Sequence, residues 1–227
     1  YQRVSSGAQS NTTALAIAEP AGIFADSVTI DSESTNQNAA LSVFGEIAAN
    51  DGALDIDADG TISIAGRVSA TDVVNIVTTS SNNSQSIASA DIQLINGTIT
   101  AGQPMLLKAD TGSIVTNGGQ IYGFDDLTLD ARTMVDTATS NPAEFNNTRF
   151  SGGTLDFMID EVLKFEGTRW EADIFKLSST GLGSLALTVG DGTILKALSL
   201  MDVNAKTVVN SGTIASLKAF DLPRCPS

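Results

Sequence analysis

The sequence predicts an all-β chain wound as a parallel β-solenoid of about nine to eleven coils, and three observations carry that expectation. Short apolar-x-apolar units recur from one end of the chain to the other, glycine turns separate them, and large rings are scarce, at 5% of 227 residues. Alternation at period two is the signature of a strand with one buried face. The whole of residues 1–227 is read as one such solenoid.

The units follow in order. DSVTIDS carries Val28 and Ile30, ALSVFG carries Leu41 and Val43, and GALDIDADGTISIAG carries Leu54 and Ile56, then Ile62 and Ile64. DVVNIV supplies Val74 and Ile76, ADIQLING supplies Ile92 and Leu94, and DDLTLDA supplies Leu127 and Leu129. GTLDFMID gives Leu155, Phe157 and Ile159, and GSLALTVGDG gives Leu185, Leu187 and Val189. Gly-Thr-Ile begins at Gly60, Gly97, Gly192 and Gly212, each time a glycine turn that starts a new strand. The strong pairs at Leu54, Val74, Ile92 and Leu127 lie about twenty residues apart or close to twice that, which is the scale of one solenoid coil. A sandwich would show longer alternating runs and more hairpin turns, yet Asn-Gly occurs only at Asn96 and Asn117. With Trp170 the sole tryptophan, the interior is expected to be filled by small aliphatic side chains.

Residues 97 to 131 read GTITAGQPMLLKADTGSIVTNGGQIYGFDDLTLDA. This succession of Gly-x-Ile-x-Ala-Gly, Leu-Leu-x-Ala, Gly-x-Ile, Asn-Gly-Gly-x-Ile and Asp-Leu-x-Leu-x-Ala resembles the degenerate repeats of filamentous-haemagglutinin-like exoproteins from two-partner secretion systems. The likeness extends more loosely over residues 52 to 70 and 210 to 222. It implies a right-handed parallel β-helix, export to the bacterial surface or medium, and a role in adhesion or matrix scaffolding. The family's secretion domain carries Asn-Pro-x-Gly motifs, whereas this chain has EPAGIF, with Glu19 before Pro20 and Gly22, so the secretion role does not carry over.

Some segments depart from the repeat. Residues 132–150, RTMVDTATSNPAEFNNTRF, lack alternation and hold Pro142 among Asn141, Asn146 and Asn147, and are expected to form an inserted loop. Residues 78–90, TTSSNNSQSIASA, are expected to be a polar turn between coils. At 194–201, ILKALSLM fits strand or helix equally. Tyr1 opens the chain without a signal peptide, as in a mature product or an excised piece. The polar start could cover one solenoid end, while Pro223 and Pro226 only stop pairing at the other; neighbouring coils or end-to-end copies are the expected partners.

Composition excludes several chemistries. A net charge of −14 and a pI near 4.1 argue against nucleic acid and anionic membranes, and no run is long and apolar enough to insert. One cysteine, Cys225, permits no intrachain disulfide, and the absence of histidine removes a Ser-His-Asp triad and the usual zinc sets. Asp55, Asp57, Asp59 and Gly60 begin like an EF-hand calcium loop, with Ile62 fitting it, but Gly66 occupies the position of the bidentate acid. Two strands joined by an acidic turn are the expected structure there, with no metal. Asp125 and Asp126 invite comparison with β-helix polygalacturonases. Adjacent strand residues face opposite ways, however, and Arg132, Arg149 and Arg169 lie in no catalytic motif. The sequons at Asn11, Asn82, Asn96 and Asn146 are expected by chance in so Asn- and Thr-rich a chain. The resulting expectation is an extracellular or cell-surface structural rod with no catalytic residue and no cofactor, meeting a host surface or extracellular polysaccharide. A carbohydrate-active β-helix enzyme and a self-assembling filament subunit are the alternatives.

Overall fold

The computed structural model describes residues 2–8, 15–34, 41–79, 90–137, 153–179 and 184–221. Each turn of the chain visits three faces, because short alternating segments are broken by glycine and small residues where the backbone must change direction. In the first circuit these are β1 (Gln2–Ala8), β2 (Leu15–Ile17) and β3 (Gly22–Ala25). The second has β4 (Val28–Ser34), β5 (Leu41–Val43) and β6 (Glu46–Ala49), and the third has β7 (Leu54–Asp59), β8 (Ile62–Ile64) and β9 (Arg67–Ala70). β10 (Val74–Thr79), β11 (Ile92–Ile95) and β12 (Thr98–Ala101) follow.

From there longer strands bend across corners. β13 (Met105–Asn117) serves the first two faces and β14 (Gln120–Gly123) the third; β15 (Leu127–Thr137) and β16 (Thr154–Glu166) repeat the bend. β17 (Arg169–Ser178) and β19 (Ile194–Val203) each run from the third face into the first of the next circuit, with β18 (Ala186–Val189) between them. β20 (Thr207–Asn210), β21 (Thr213–Ser216) and β22 (Ala219–Asp221) close the described chain. Every strand pairing is parallel and joins a strand to its counterpart in the next circuit. This is a β-solenoid.

Like stacks on like inside it. On the first face Val28, Leu54, Val74, Met105, Leu127, Leu155, Phe175 and Met201 form one buried row. On the third face Ala49, Ala70 and Ala101 are aligned and buried beside a row of Ile47, Val68, Ile99 and Ile121. Burying aliphatic rows contributes about 25 cal/mol per Å² of apolar area removed from water, while the intercoil ladders satisfy the backbone. One continuous apolar cluster runs from Ile17 to Ala205.

Four particulars correct the sequence-based expectation. The coils are uneven: nine repeats separate the ten strands stacked on the first face, from β1 to β22. The expectation assumed a uniform coil, whereas the first-face repeat varies from 19 residues (Leu200 to Ala219) to 31 (Val74 to Met105), and β20 of the last turn is exposed throughout. The inserted loop cannot begin at 132, because Arg132–Thr137 continue β15 and Thr133–Thr137 pair with β13 and β16; 138–150 lie outside the described residues. Likewise Thr78 and Thr79 belong to β10, and the buried Thr78 hydroxyl donates to the Ala90 carbonyl at 2.7 Å. Residues 194–201 are strand.

The fourth concerns the core, which is not aliphatic throughout. Phe157 lies 5.4 Å from Phe165, 5.3 Å from Trp170 and 5.2 Å from Phe175, and all four rings are fully buried. Beside them the inward row Ile64, Leu94, Thr116, Asp136, Phe165, Val189 is interrupted by two polar residues. Asp136 is fully buried: its carboxylate accepts from the Thr116 hydroxyl and, at 2.6 Å, from the Trp170 indole N–H. A buried carboxylate is tolerated only with such donors.

Candidate functional site

With the interior packed, ligand chemistry must lie on the outer rows. On the first face Asp55, Asp57 and Asp59 all point outward from β7, because Leu54, Ile56 and Ala58 point in. The turn itself is Gly60, at φ +120, so the acids lie on the strand and not in the turn. Alternate residues of a strand are about 6.8 Å apart, whereas calcium needs six to eight oxygens at about 2.3–2.6 Å. Asn75 donates to Asp55 at 2.8 Å and Thr79 to Asp59 at 2.6 Å, so two of the three carboxylates are engaged across the ladder. Among the described residues no three His, Cys, Asp or Glu side chains converge as a metal site requires. Millimolar calcium is therefore expected to leave the melting temperature nearly unchanged; a rise of many degrees, abolished by Asp57→Ala, would reverse that reading.

Asp57 stacks directly on Asp31. Partial burial, then the charges of Asp31 and Asp59, raise its carboxyl above the usual 3.8. A raised carboxyl favours the folded state below its unfolded pKa, and that contribution is lost as pH rises through the folded value. Asp57→Asn is accordingly expected to raise the melting temperature at pH 7 by a few degrees, corresponding to at most about 1 kcal/mol for an opposed like-charge pair on an exposed strand. The advantage should vanish below about pH 4, which thermal melts across pH would show.

Further along the same face, Asp156, Lys176 and Asp202 stand on successive strands and line a groove of about 350 Å³ with Ser178 and Asn204. Oδ1 of Asp156 is enclosed without a protein hydrogen-bond partner. Burial pushes this carboxyl up, Lys176 offsets part of the rise and Asp202 adds to it.

The residues singled out from sequence are dispersed. Asp125 and Asp126 sit at a corner before β15 and not on a strand; Asp126 accepts the Thr154 N–H of the next circuit at 2.6 Å, an intercoil contact. Arg132 pairs with Glu161 at 3.1 Å on the surface. Arg169 and Lys196 both hold Glu171, at 3.0 and 2.9 Å, and the Lys196 hydrogen bond leads in lowering that carboxyl. Asn96 is exposed at a turn with φ 56. Arg149, Cys225, Asn11, Asn82 and Asn146 lie outside the described residues.

The third face differs from the first. Its five-stranded sheet, β3-β6-β9-β12-β14, presents two outward rows: Gly22, Glu46, Arg67, Thr98, Gln120, and Phe24, Ala48, Ser69, Thr100, Tyr122. The only charges are Glu46 and Arg67, 3.6 Å apart. At the corner leading into this sheet, Gly45, Gly66 and Gly97 pack so closely that an added Cβ would meet a backbone oxygen within 1.9, 2.0 and 2.7 Å. That close turn leaves a groove of about 420 Å³ along four circuits, lined by Phe44, Glu46, Arg67, Asn96 and Thr98 among others. Sequence reasoning missed this surface, although the strand parity of Phe24 and Tyr122 marks both as outward.

No family model matches the chain, and the searches of curated proteins and of solved structures likewise gave no match.

Proposed function

We propose that this chain is a secreted or cell-surface β-solenoid rod that mediates adhesion or the assembly of an extracellular matrix or filament. The observation that carries the reading is the in-register stack itself. It holds outward side chains in straight rows at about 4.8 Å intervals on a scaffold whose interior is committed to packing. Such rows suit repetitive ligands more than a single reacting bond. The last circuit adds an assembly surface: β20, β21 and β22 each pair on one side only among the described residues, and the inward-facing Val208 is 42% exposed. Uncovered strand edges recruit further strands, from the same chain or another. The resemblance to haemagglutinin-like repeats supports export and adhesion.

The test is retention of labelled chain under flow on biofilm matrix and on animal-cell surfaces, with small-angle scattering across a concentration series. Retention, or growth along one dimension with concentration, is the expected result. A strictly monomeric chain that adheres to neither surface would overturn the reading.

A second reading, a polysaccharide hydrolase or lyase, is favoured by one observation, the Asp156–Lys176–Asp202 groove. Its two carboxylates are two strands apart, about 9.6 Å along the axis, near the upper limit for an inverting pair. No cleavage of pectins, alginates or neutral glycans is expected; cleavage that stops in Asp156→Asn would replace the rod reading with this one.

A further inference from the structure

From the third face we infer a binding site for an extended, uncharged polysaccharide chain, laid along the solenoid axis between Phe24 and Tyr122. The inference rests on the adhesive reading and names its ligand class.

Three independent observations meet here. The first is where the exposed rings lie. The exposed phenylalanines among the described residues, Phe24, Phe44 and Phe124 at 57%, 49% and 76%, all sit on the third sheet or its corners, while Phe157, Phe165 and Phe175 are buried elsewhere. Exposed rings gathered at one sheet mark a binding surface, because each one left in water costs free energy that only a ligand recovers.

The second is how the rings lie. Phe24 is folded back along its own strand over Gly22, where a Cβ would stand 2.5 Å from the ring. Tyr122 reaches the same way along its strand, its hydroxyl donating to the Gln120 side-chain carbonyl at 3.0 Å. Both residues occupy the same outward row, four strands or about 19 Å apart, with Ala48, outward by parity yet buried, and the partly exposed Ser69 and Thr100 between them. The result is a shallow trough with a ring lying along its strand at each end and hydroxyls on its floor. A ring extended along its strand in this way offers apolar surface to the C–H face of a sugar, and the strand spacing is close to the length of one pyranose unit in an extended chain.

The third is charge. The first face carries outward acids on strand after strand, and the chain as a whole bears −14. The two outward rows of the third sheet sum to zero, with one acid and one base set against each other. An anionic polymer would be repelled by the molecule and gain nothing from this face. A neutral one meets amide, hydroxyl and paired-ion donors and acceptors in Gln120, Thr98, Thr100, Ser69, Arg67 and Glu46.

Native affinity electrophoresis of the full chain in gels containing mannan, xylan or a soluble β-1,4-glucan tests this, with alginate and polygalacturonate as anionic probes. The expected result is retardation by at least one neutral polymer and by neither anionic one. Phe24→Ala and Tyr122→Ala should each weaken that retardation about tenfold and together abolish it, with unchanged melting temperatures since both rings are outward. Asp57→Asn should leave it unchanged. Failure of every neutral polymer to retard the chain, undiminished retardation of the double variant, or retardation by the anionic polymers alone would overturn the inference. If the double variant is still retained on biofilm matrix under flow, this site fails while the rod reading stands. If the unaltered chain is not retained there and does not grow with concentration, the rod reading fails, whatever the gels show.

Discussion

Trp170→Ala is expected to lower stability by about 4 kcal/mol and the melting temperature by about 10 °C or more. Two losses add. The indole fills the space between Phe157 and Phe165, at 5.3 and 6.2 Å, so removing it opens a cavity in the only part of the described core built from rings. It also donates at 2.6 Å to the buried Asp136 carboxylate, and that charge-assisted hydrogen bond would be lost. Trp170→Phe separates the two: the ring remains and the donor goes, at a cost of about 1–3 kcal/mol. Combining Trp170→Phe with Asp136→Leu should recover part of that loss, because a buried polar pair removed together costs far less than one partner removed alone. Thermal and denaturant melts read these changes directly. A Trp170→Ala variant that melts within two or three degrees of the parent, on the order of 1 kcal/mol, would show that the aromatic cluster contributes little.

The second large effect is expected at Gly66, where alanine should cost about 2–3 kcal/mol. Its backbone conformation is open to any residue, so the cost comes from space alone: a Cβ would stand 2.0 Å from the Gly45 carbonyl oxygen and 2.6 Å from Phe44. That carbonyl cannot turn aside freely, since it accepts the Arg67 N–H at 2.9 Å. Gly192→Ala makes a useful contrast. There φ is +71, but the nearest atom to a new Cβ is 3.7 Å away, so the strain stays local and the cost should be nearer 1 kcal/mol. Equal melting temperatures for the two variants would remove the close-packed corner as an explanation.

These positions show what could be seen before the structure. The alternation of Leu54, Ile56, Ile62, Ile64, Val74 and Ile76 is a local property, so the strands and their inward faces were legible. Corners were harder. In ILKALSLM the alternation of Leu195 and Ala197 breaks because β19 turns from the third face to the first, and the pairing with β17 slips between Ala172 and Ile174. That extra residue shifts the parity and imitates a helical period. Residues 132–137 misled for a related reason: Asp136 shares the inward parity of Met134, and a polar residue at a core position reads as loop unless its donors are known. The donors come from residues 20 and 34 positions away, which no local pattern reveals. The outward rows fared worst, since Phe24, Ser69, Thr100 and Tyr122 become neighbours only once the register is fixed.

The parallel register also decides how the molecule answers tension. Its intercoil hydrogen bonds run nearly along the long axis, so a pull between the two ends loads the circuits in series and not side by side. The weakest junction opens first, and the load then passes to the next. Each circuit released adds about 3.4 Å of extended chain per residue. Because the repeat varies from 19 to 31 residues, successive steps differ in length, from about 65 to about 105 Å. A tethered chain of this kind lengthens in unequal steps under load, holding its attachment while the outermost turns unwind.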